Sequence, residues 1–355
     1  MLFENFHNGI NIGGWLAQYE IVTGSLDSNE LEKHFETFIT EDNIKYLSST
    51  LGLDHIRIPL DGDAVFDYST GKLIPCRISY LDRMLSWCRK QNLNVIFDLH
   101  TIRGNAYHLF TPTDLFTKDE YRANFVRFWK EMTTHYIGVD TPKIIFELLN
   151  EAADCFDGYL WRSLYDEAVQ SIRDIDRNRY LLIGSNCMNS LTTLNQLKLY
   201  KDDQIGYNFH YYEPNAFTHQ KACFSEEFMA FDRTINYPGS LREYQTFLAA
   251  HPSYKQEHPM VWDVNVNDEN LMNRNLGYAD RFIRYTGKEL YCGEYGVIDT
   301  APETAAAKWI RDFKRKCDQL RVGHAMWNYK CLDFELVDID NHLVRPLVED
   351  AIKSE

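Results

Sequence analysis

Ile144-Ile145-Phe146-Glu147-Leu148-Leu149-Asn150-Glu151 begins as an apolar, β-branched run and ends in two polar residues. Such a run reads as a buried strand of a parallel sheet, with Asn150 and Glu151 at its carboxyl end. Seven more runs of this kind lie along the chain, at residues 10–15, 55–60, 95–100, 181–185, 205–211, 290–295 and 324–328. Segments of helical period separate them. Leu81, Met84, Leu85 and Cys88 form one apolar stripe, Phe125, Phe128, Trp129 and Met132 another, and residues 160–175 and 304–320 are patterned alike. Alternation of buried strand and helix predicts parallel β-α-β units with right-handed crossovers. Eight units close into an α/β fold of the (β/α)8 TIM barrel class, here expected as a single barrel domain over residues 1–355. An open doubly wound sheet would place a G-x-G-x-x-G turn after its first strand, and Gly13-Gly14-Trp15 is not that turn. The interval 213–287 is too long for one crossover. It carries Phe217, Phe224, Tyr237, Tyr244, Phe247 and Trp262, and is expected to be an insertion subdomain after strand six, bracing the barrel or walling a cleft.

Lys and Arg total 37 against 52 Asp and Glu, a formal charge of −15 that argues against nucleic acid or an anionic membrane as partner. No apolar run reaches the ~18 residues of a membrane span. The first residues lack the basic and apolar regions of a secretory signal, so a cytoplasmic location is expected, or a secreted one if a leader has been removed. The eight cysteines form no C-x-x-C pair, which predicts reduced thiols and no disulfide framework.

In a barrel of this kind, polar residues at the carboxyl ends of strands read as catalytic, because the strand interiors face a packed core. Those ends carry Arg57, His100, Asn150, Glu151, His210, Tyr212, Glu294 and Trp327. Two glutamates on one rim suit glycoside hydrolysis, in which one carboxylic acid protonates the leaving oxygen while a second carboxylate attacks or activates water. Strands four and seven lie across the barrel from each other. Arg57 is the nearest cation for Glu294, and the charge on Glu294 is expected to raise the pKa of Glu151. Asn150 can reach a sugar 2-hydroxyl. Singly, each residue has an ordinary reading: Glu151 as a helix-start partner, Glu294 as half of an ion pair, the histidines and Trp327 as core. A metal site is not expected, since there is neither H-x-H on the first strand nor H-E-x-x-H. No cofactor is expected.

The chain resembles glycoside hydrolase family 5, of clan A. The resemblance rests on Gly13-Gly14-Trp15, His55-Ile56-Arg57-Ile58-Pro59, Asp98-Leu99-His100, Glu147-Leu148-Leu149-Asn150-Glu151, Asn208-Phe209-His210-Tyr211-Tyr212, Cys292-Gly293-Glu294-Tyr295-Gly296 and Trp327-Asn328-Tyr329-Lys330. It implies Glu151 as acid/base and Glu294 as nucleophile, with Arg57 and Tyr212 bonding the nucleophile. It implies that His100, Asn150 and His210 hold the sugar, with Trp327 stacked beneath. Within that family the chain resembles compact bacterial endo-β-glucanases of cellulase or lichenase type. That likeness implies a retaining enzyme cutting β-1,4 linkages of β-1,4- or mixed β-1,3-1,4-glucans, or their oligosaccharides; a monomer is expected. Many relatives carry His-His-x-Pro-Gly after strand three, where this chain has His100-Thr101-Ile102-Arg103-Gly104. The alternatives are an exo-acting β-glucosidase or β-1,3-glucanase, a β-mannanase, and a non-catalytic sugar-binding barrel.

Overall fold

The computed structural model describes residues 3–106, 113–154, 157–255, 260 and 264–353; Trp262 and Cys155 lie outside the described residues. Eight parallel strands close into a barrel in sequence order: β1 (Asn8–Asn11), β2 (His55–Asp61), β3 (Asn94–Thr101), β4 (Ile144–Glu147), β5 (Tyr180–Gly184), β6 (Ile205–Tyr211), β7 (Leu290–Tyr295) and β8 (Gly323–Met326). β8 returns to β1 with Asn8 against His324 and Ile10 against Met326. The helices Pro75–Gln91 and Asp119–Tyr136 bury the two stripes read from the sequence, Leu81 to Cys88 and Phe125 to Met132. Phe3 and Phe6 close the amino-terminal end over Ile96, Ile145 and Tyr291. Among the described residues no helix is long and apolar enough to cross a membrane, and seven cysteines are free thiols.

The first strand departs from the expected run at 10–15. It starts at Asn8, stops at Asn11, and residues 12–15 leave the sheet. The reason is local. The Gly13 N–H donates to Asn328 Oδ1 at 2.9 Å, and a Cβ on Gly13 would lie 2.8 Å from the Trp327 ring, so the segment folds over β8 rather than extending β1. A second irregularity lies in β7. Cys292 pairs with Phe209 and Glu294 with the next residue, His210, so Gly293 is an extra residue in the ladder. A bulge of this kind re-aims the following side chain, here Glu294.

The long interval after β6 has two parts. Residues 213–268 hold the short helices Asn215–Thr218, Glu226–Phe231 and Arg242–Ala250, with an antiparallel pair of Gly239–Ser240 and Val266–Asn267. Glu269–Thr286, the tail of the interval 213–287, is the ordinary crossover helix into β7. The described residues of the first part pack against one another. Phe231 packs 5.2 Å from Tyr244 and 5.3 Å from Phe247, and the Gln220 amide bridges the Ile235 N–H and the Phe217 and Ile235 carbonyls.

Candidate active site

Arg57 projects from β2 into the barrel, fully buried, and its guanidinium is the hub of the site. Nε donates to Glu147 Oε2 at 2.7 Å, and Nη1 donates to Asn11 Oδ1 and to Glu294 Oε1, both at 2.8 Å. Nη2 donates to Glu147 Oε1 at 3.0 Å and Asn150 Oδ1 at 2.9 Å, and lies 3.0 Å from Asp98 Oδ2. Burial works against its charge, but Asp98, Glu147 and Glu294 outweigh burial and hold its pKa above the usual arginine value. Arg57 is a fixed cation. Because its Oδ1 is held by Arg57, Asn150 keeps its NH2 group for a ligand.

Glu294 is held at both oxygens, Oε1 by Arg57 and Oε2 by the Tyr212 hydroxyl at 2.9 Å. Held by a cation at one oxygen and a phenol at the other, the carboxylate cannot rotate away. Glu151, just beyond β4, stands at φ 46, a conformation costly for a residue with a Cβ and typical of functional positions. Burial pushes its carboxyl up to about 7, opposed by the positive charges of His100 and Arg57. Desolvation is therefore the cause, where the sequence reading had invoked the charge on Glu294. His210 Nδ1 lies 2.9 Å from Glu151 Oε1 and 3.6 Å from Glu294 Oε2. Ligand atoms of Glu151, His210 and Glu294 lie within 4.8 Å of one another, so carboxylate oxygens from β4 and β7 face each other across a narrow gap. The same three side chains have the spacing of a cation site. His210 is engaged at both ring nitrogens, though, by Glu151 and by Asn189 at 3.0 Å.

A cleft of about 610 Å³ opens over this pair. His100, Asn150, Tyr212 and Trp327 line it, together with Phe224 and Ile21, which are exposed. Trp327 stacks on His100 at 5.5 Å with an 11° angle, and Asp98 holds His100 Nδ1 at 2.8 Å. All eight residues singled out from the sequence thus meet at one mouth of the barrel.

A model of the cellulase family, glycosyl hydrolase family 5, matches residues 19–331. The chain belongs to glycosyl hydrolase family 5. It is an O-glycoside hydrolase. It is 37% identical over 349 residues to Endoglucanase C of Acetivibrio thermocellus, covering 98% of this chain and 97% of that one. It is 31% identical over 305 residues to Cellodextrinase A of Ruminococcus flavefaciens, covering 85% and 79%. The fold is similar to that of Thermotoga maritima Cel5A in complex with cellobiose, at TM-score 0.75 and 20% identity, with 99% and 98% covered.

Within this family 5 site, Asn11, Asp98, Glu147 and Asn208 do work that their sequence positions did not announce. Asn208 donates to Glu147 Oε1 at 2.7 Å and accepts from the Gly293 N–H at 2.7 Å, which holds the bulge in place. The signal available was the odd polar residue inside an otherwise apolar run. Arg103, the cation of the altered loop, turns away from the cleft: it pairs with Asp63 at 2.6 Å and lies 4.2 Å over the Tyr68 ring. Arg57→Met leaves Asp98, Glu147 and Glu294 buried without their cation, and the expected cost is about 3–5 kcal/mol of folding stability. A urea titration measures it; an unchanged midpoint would remove Arg57 from the centre of the network.

Proposed function

We propose that this family 5 hydrolase is a retaining endo-β-glucanase that cuts β-1,4 linkages by double displacement, with Glu151 as acid/base and Glu294 as nucleophile. The observation that carries this reading is the facing pair of carboxylates within 4.8 Å. That spacing suits direct attack on the sugar, since an inverting pair stands about 6.5–9.5 Å apart to admit a water. Glu151, protonated, gives its proton to the glycosidic oxygen while Glu294 attacks the anomeric carbon from the opposite face. The aglycone leaves and a glycosyl ester remains on Glu294. Glu151, now ionised, takes a proton from water, which attacks the ester and releases the sugar with its original β configuration. Asn150 offers its NH2 to the 2-hydroxyl, and Trp327 offers an apolar face to the ring.

The names of the relatives, an endoglucanase and a cellodextrinase, support β-glucan or gluco-oligosaccharide as substrate. Exposed Phe224 and Ile21 in the same cleft as Trp327 extend apolar surface beyond the cleavage point, which favours a chain over a single sugar. Free thiols at the described cysteines favour a reducing compartment.

The test is proton NMR of early products, with sizing, from mixed-linkage glucan, carboxymethyl cellulose, laminarin, mannan and cello-oligosaccharides. β-Anomer first, with mid-sized fragments from mixed-linkage glucan, is the expected result. α-Anomer first overturns retention. Glucose released from oligosaccharide ends alone moves the enzyme to the exo class.

A further inference from the structure

Asn189 lies outside the set of residues that meet substrate, yet it touches the machinery. It is fully buried, two residues before the 3-10 turn Leu191–Gln196 and beyond the end of β5. Cys187, Met188 and Asn189 follow one another at φ 52, 58 and 54. Three successive left-handed residues, none of them glycine, are unfavourable for L-amino acids and must be held by their surroundings. The holding bonds are present. Met188 N–H donates to Ala152 O at 3.2 Å, and the Asn186 side chain exchanges bonds with the Asp154 backbone at 2.8 and 2.9 Å. These bonds tie the turn to the loop that begins at Glu151. At Gly184 a Cβ would lie 2.2 Å from Asn189 Oδ1, so the strand end leaves room for this amide. Oδ1 itself is buried with no hydrogen-bond partner among the described residues, and the one bond of the side chain is from Nδ2 to His210 Nε2 at 3.0 Å.

That single bond has a chemical consequence. An amide nitrogen only donates, so Nε2 must present its lone pair and the imidazole proton must sit on Nδ1. Nδ1–H then donates to Glu151 Oε1 at 2.9 Å. We propose that Asn189 is a positioning residue that locks His210 in its Nδ1–H tautomer and thereby directs the acid proton of Glu151 to Oε2, the oxygen left for the leaving group. This rests on the assignment of Glu151 as acid/base. In the first step the lock keeps Oε1 as an acceptor, so His210 cannot draw the proton away from the substrate. In the second step the same N–H steadies the carboxylate formed. The charged and titratable groups around the pair are Arg57 from β2, Asp98 and His100 from β3, Glu147 from β4, Glu294 from β7, and Glu213, which also lines the cleft. Burial supports a neutral ring by pulling His210 down to about 4.

Nitrogen-15 spectra of the imidazoles test the lock without any substitution. The unsubstituted protein is expected to show His210 protonated at Nδ1 alone near neutral pH; a proton on Nε2 overturns the proposal. Asn189→Asp keeps the shape and, once ionised, can only accept, so it is expected to place a proton on His210 Nε2. Its kcat/KM on cello-oligosaccharides is expected to fall about 10- to 100-fold, a share of the general-acid contribution. On 2,4-dinitrophenyl β-cellobioside, whose leaving group needs no proton, kcat/KM should stay within about 3-fold. Equal losses on both substrates, or an unmoved proton, overturn the inference. Glu151→Ala run in parallel separates the two layers: if that variant shows no dependence on leaving group, the acid/base assignment fails. If it shows the dependence and Asn189→Asp does not, only the lock fails.

Discussion

Glu294→Ala is expected to lower hydrolysis of cello-oligosaccharides by about 10⁴-fold or more, the scale on which removing a nucleophile acts. Oligosaccharide binding, measured by calorimetry, should survive, because Trp327, His100 and the Asn150 NH2 group are untouched. The variant should also fold. Arg57 keeps Asp98 and Glu147 as partners, and one of three carboxylates crowded on a single guanidinium is gone. Its urea midpoint is expected to equal or exceed that of the parent, as for other sites that trade stability for function. Sodium azide supplies a small anion for the emptied space, and the product should then be the α-glycosyl azide, formed by one inversion. Unchanged hydrolysis would remove Glu294 from the nucleophile's role.

Glu151→Ala separates by leaving group. Cello-oligosaccharides need a proton on the departing oxygen, and the expected loss is about 10²- to 10⁴-fold. A dinitrophenyl glycoside needs none, so its first step should proceed, followed by slow release of the glycosyl ester because no base activates water. The signature is a burst of dinitrophenolate followed by a slow steady state. The pH profile provides the second readout. Burial raises the Glu151 carboxyl to about 7, so the proton is retained where an ordinary carboxylate has lost it. In the parent, kcat/KM should therefore fall as pH rises through about 7. The alanine variant should lack that basic limb; its persistence would assign the limb to another group.

Much of this site was legible because hydrolases on barrels put chemistry where strands end. The run 205–211 coincides with β6 and 290–295 with β7, so His210, Tyr212 and Glu294 were placed correctly at the mouth. The run 144–150 overshot β4, which ends at Glu147, because Leu148 and Leu149 are as buried as the strand and the Leu148 N–H still reaches Leu182 O of β5 at 3.1 Å. The first run was shifted because Asn8 and Asn11 are polar. Asn11 spends its amide on the Gly293, Ala325 and Met326 carbonyls and its oxygen on Arg57, partners far away in sequence. Cys187-Met188-Asn189 carried no warning of a left-handed turn, since glycine, the usual mark of that conformation, is absent. Asn189 was illegible for that reason. The tail of the interval 213–287 was grouped with the insertion because its length gave no sign of where the added chain stops and the Glu269–Thr286 helix begins.

The Arg57 hub also has a bearing on how the chain matures. Its partners come from just inside β1, β3, β4 and β7, and Asn208 of β6 bonds Glu147 across 61 residues. The tie to Glu294 spans 237 residues. During synthesis, Asp98 and Glu147 are available to Arg57 long before Glu294 leaves the ribosome. The last anion arrives only when β7 docks and the ring is nearly complete. The full set of anions around Arg57 therefore forms only once β7 is made, with β8 alone still to close the ring.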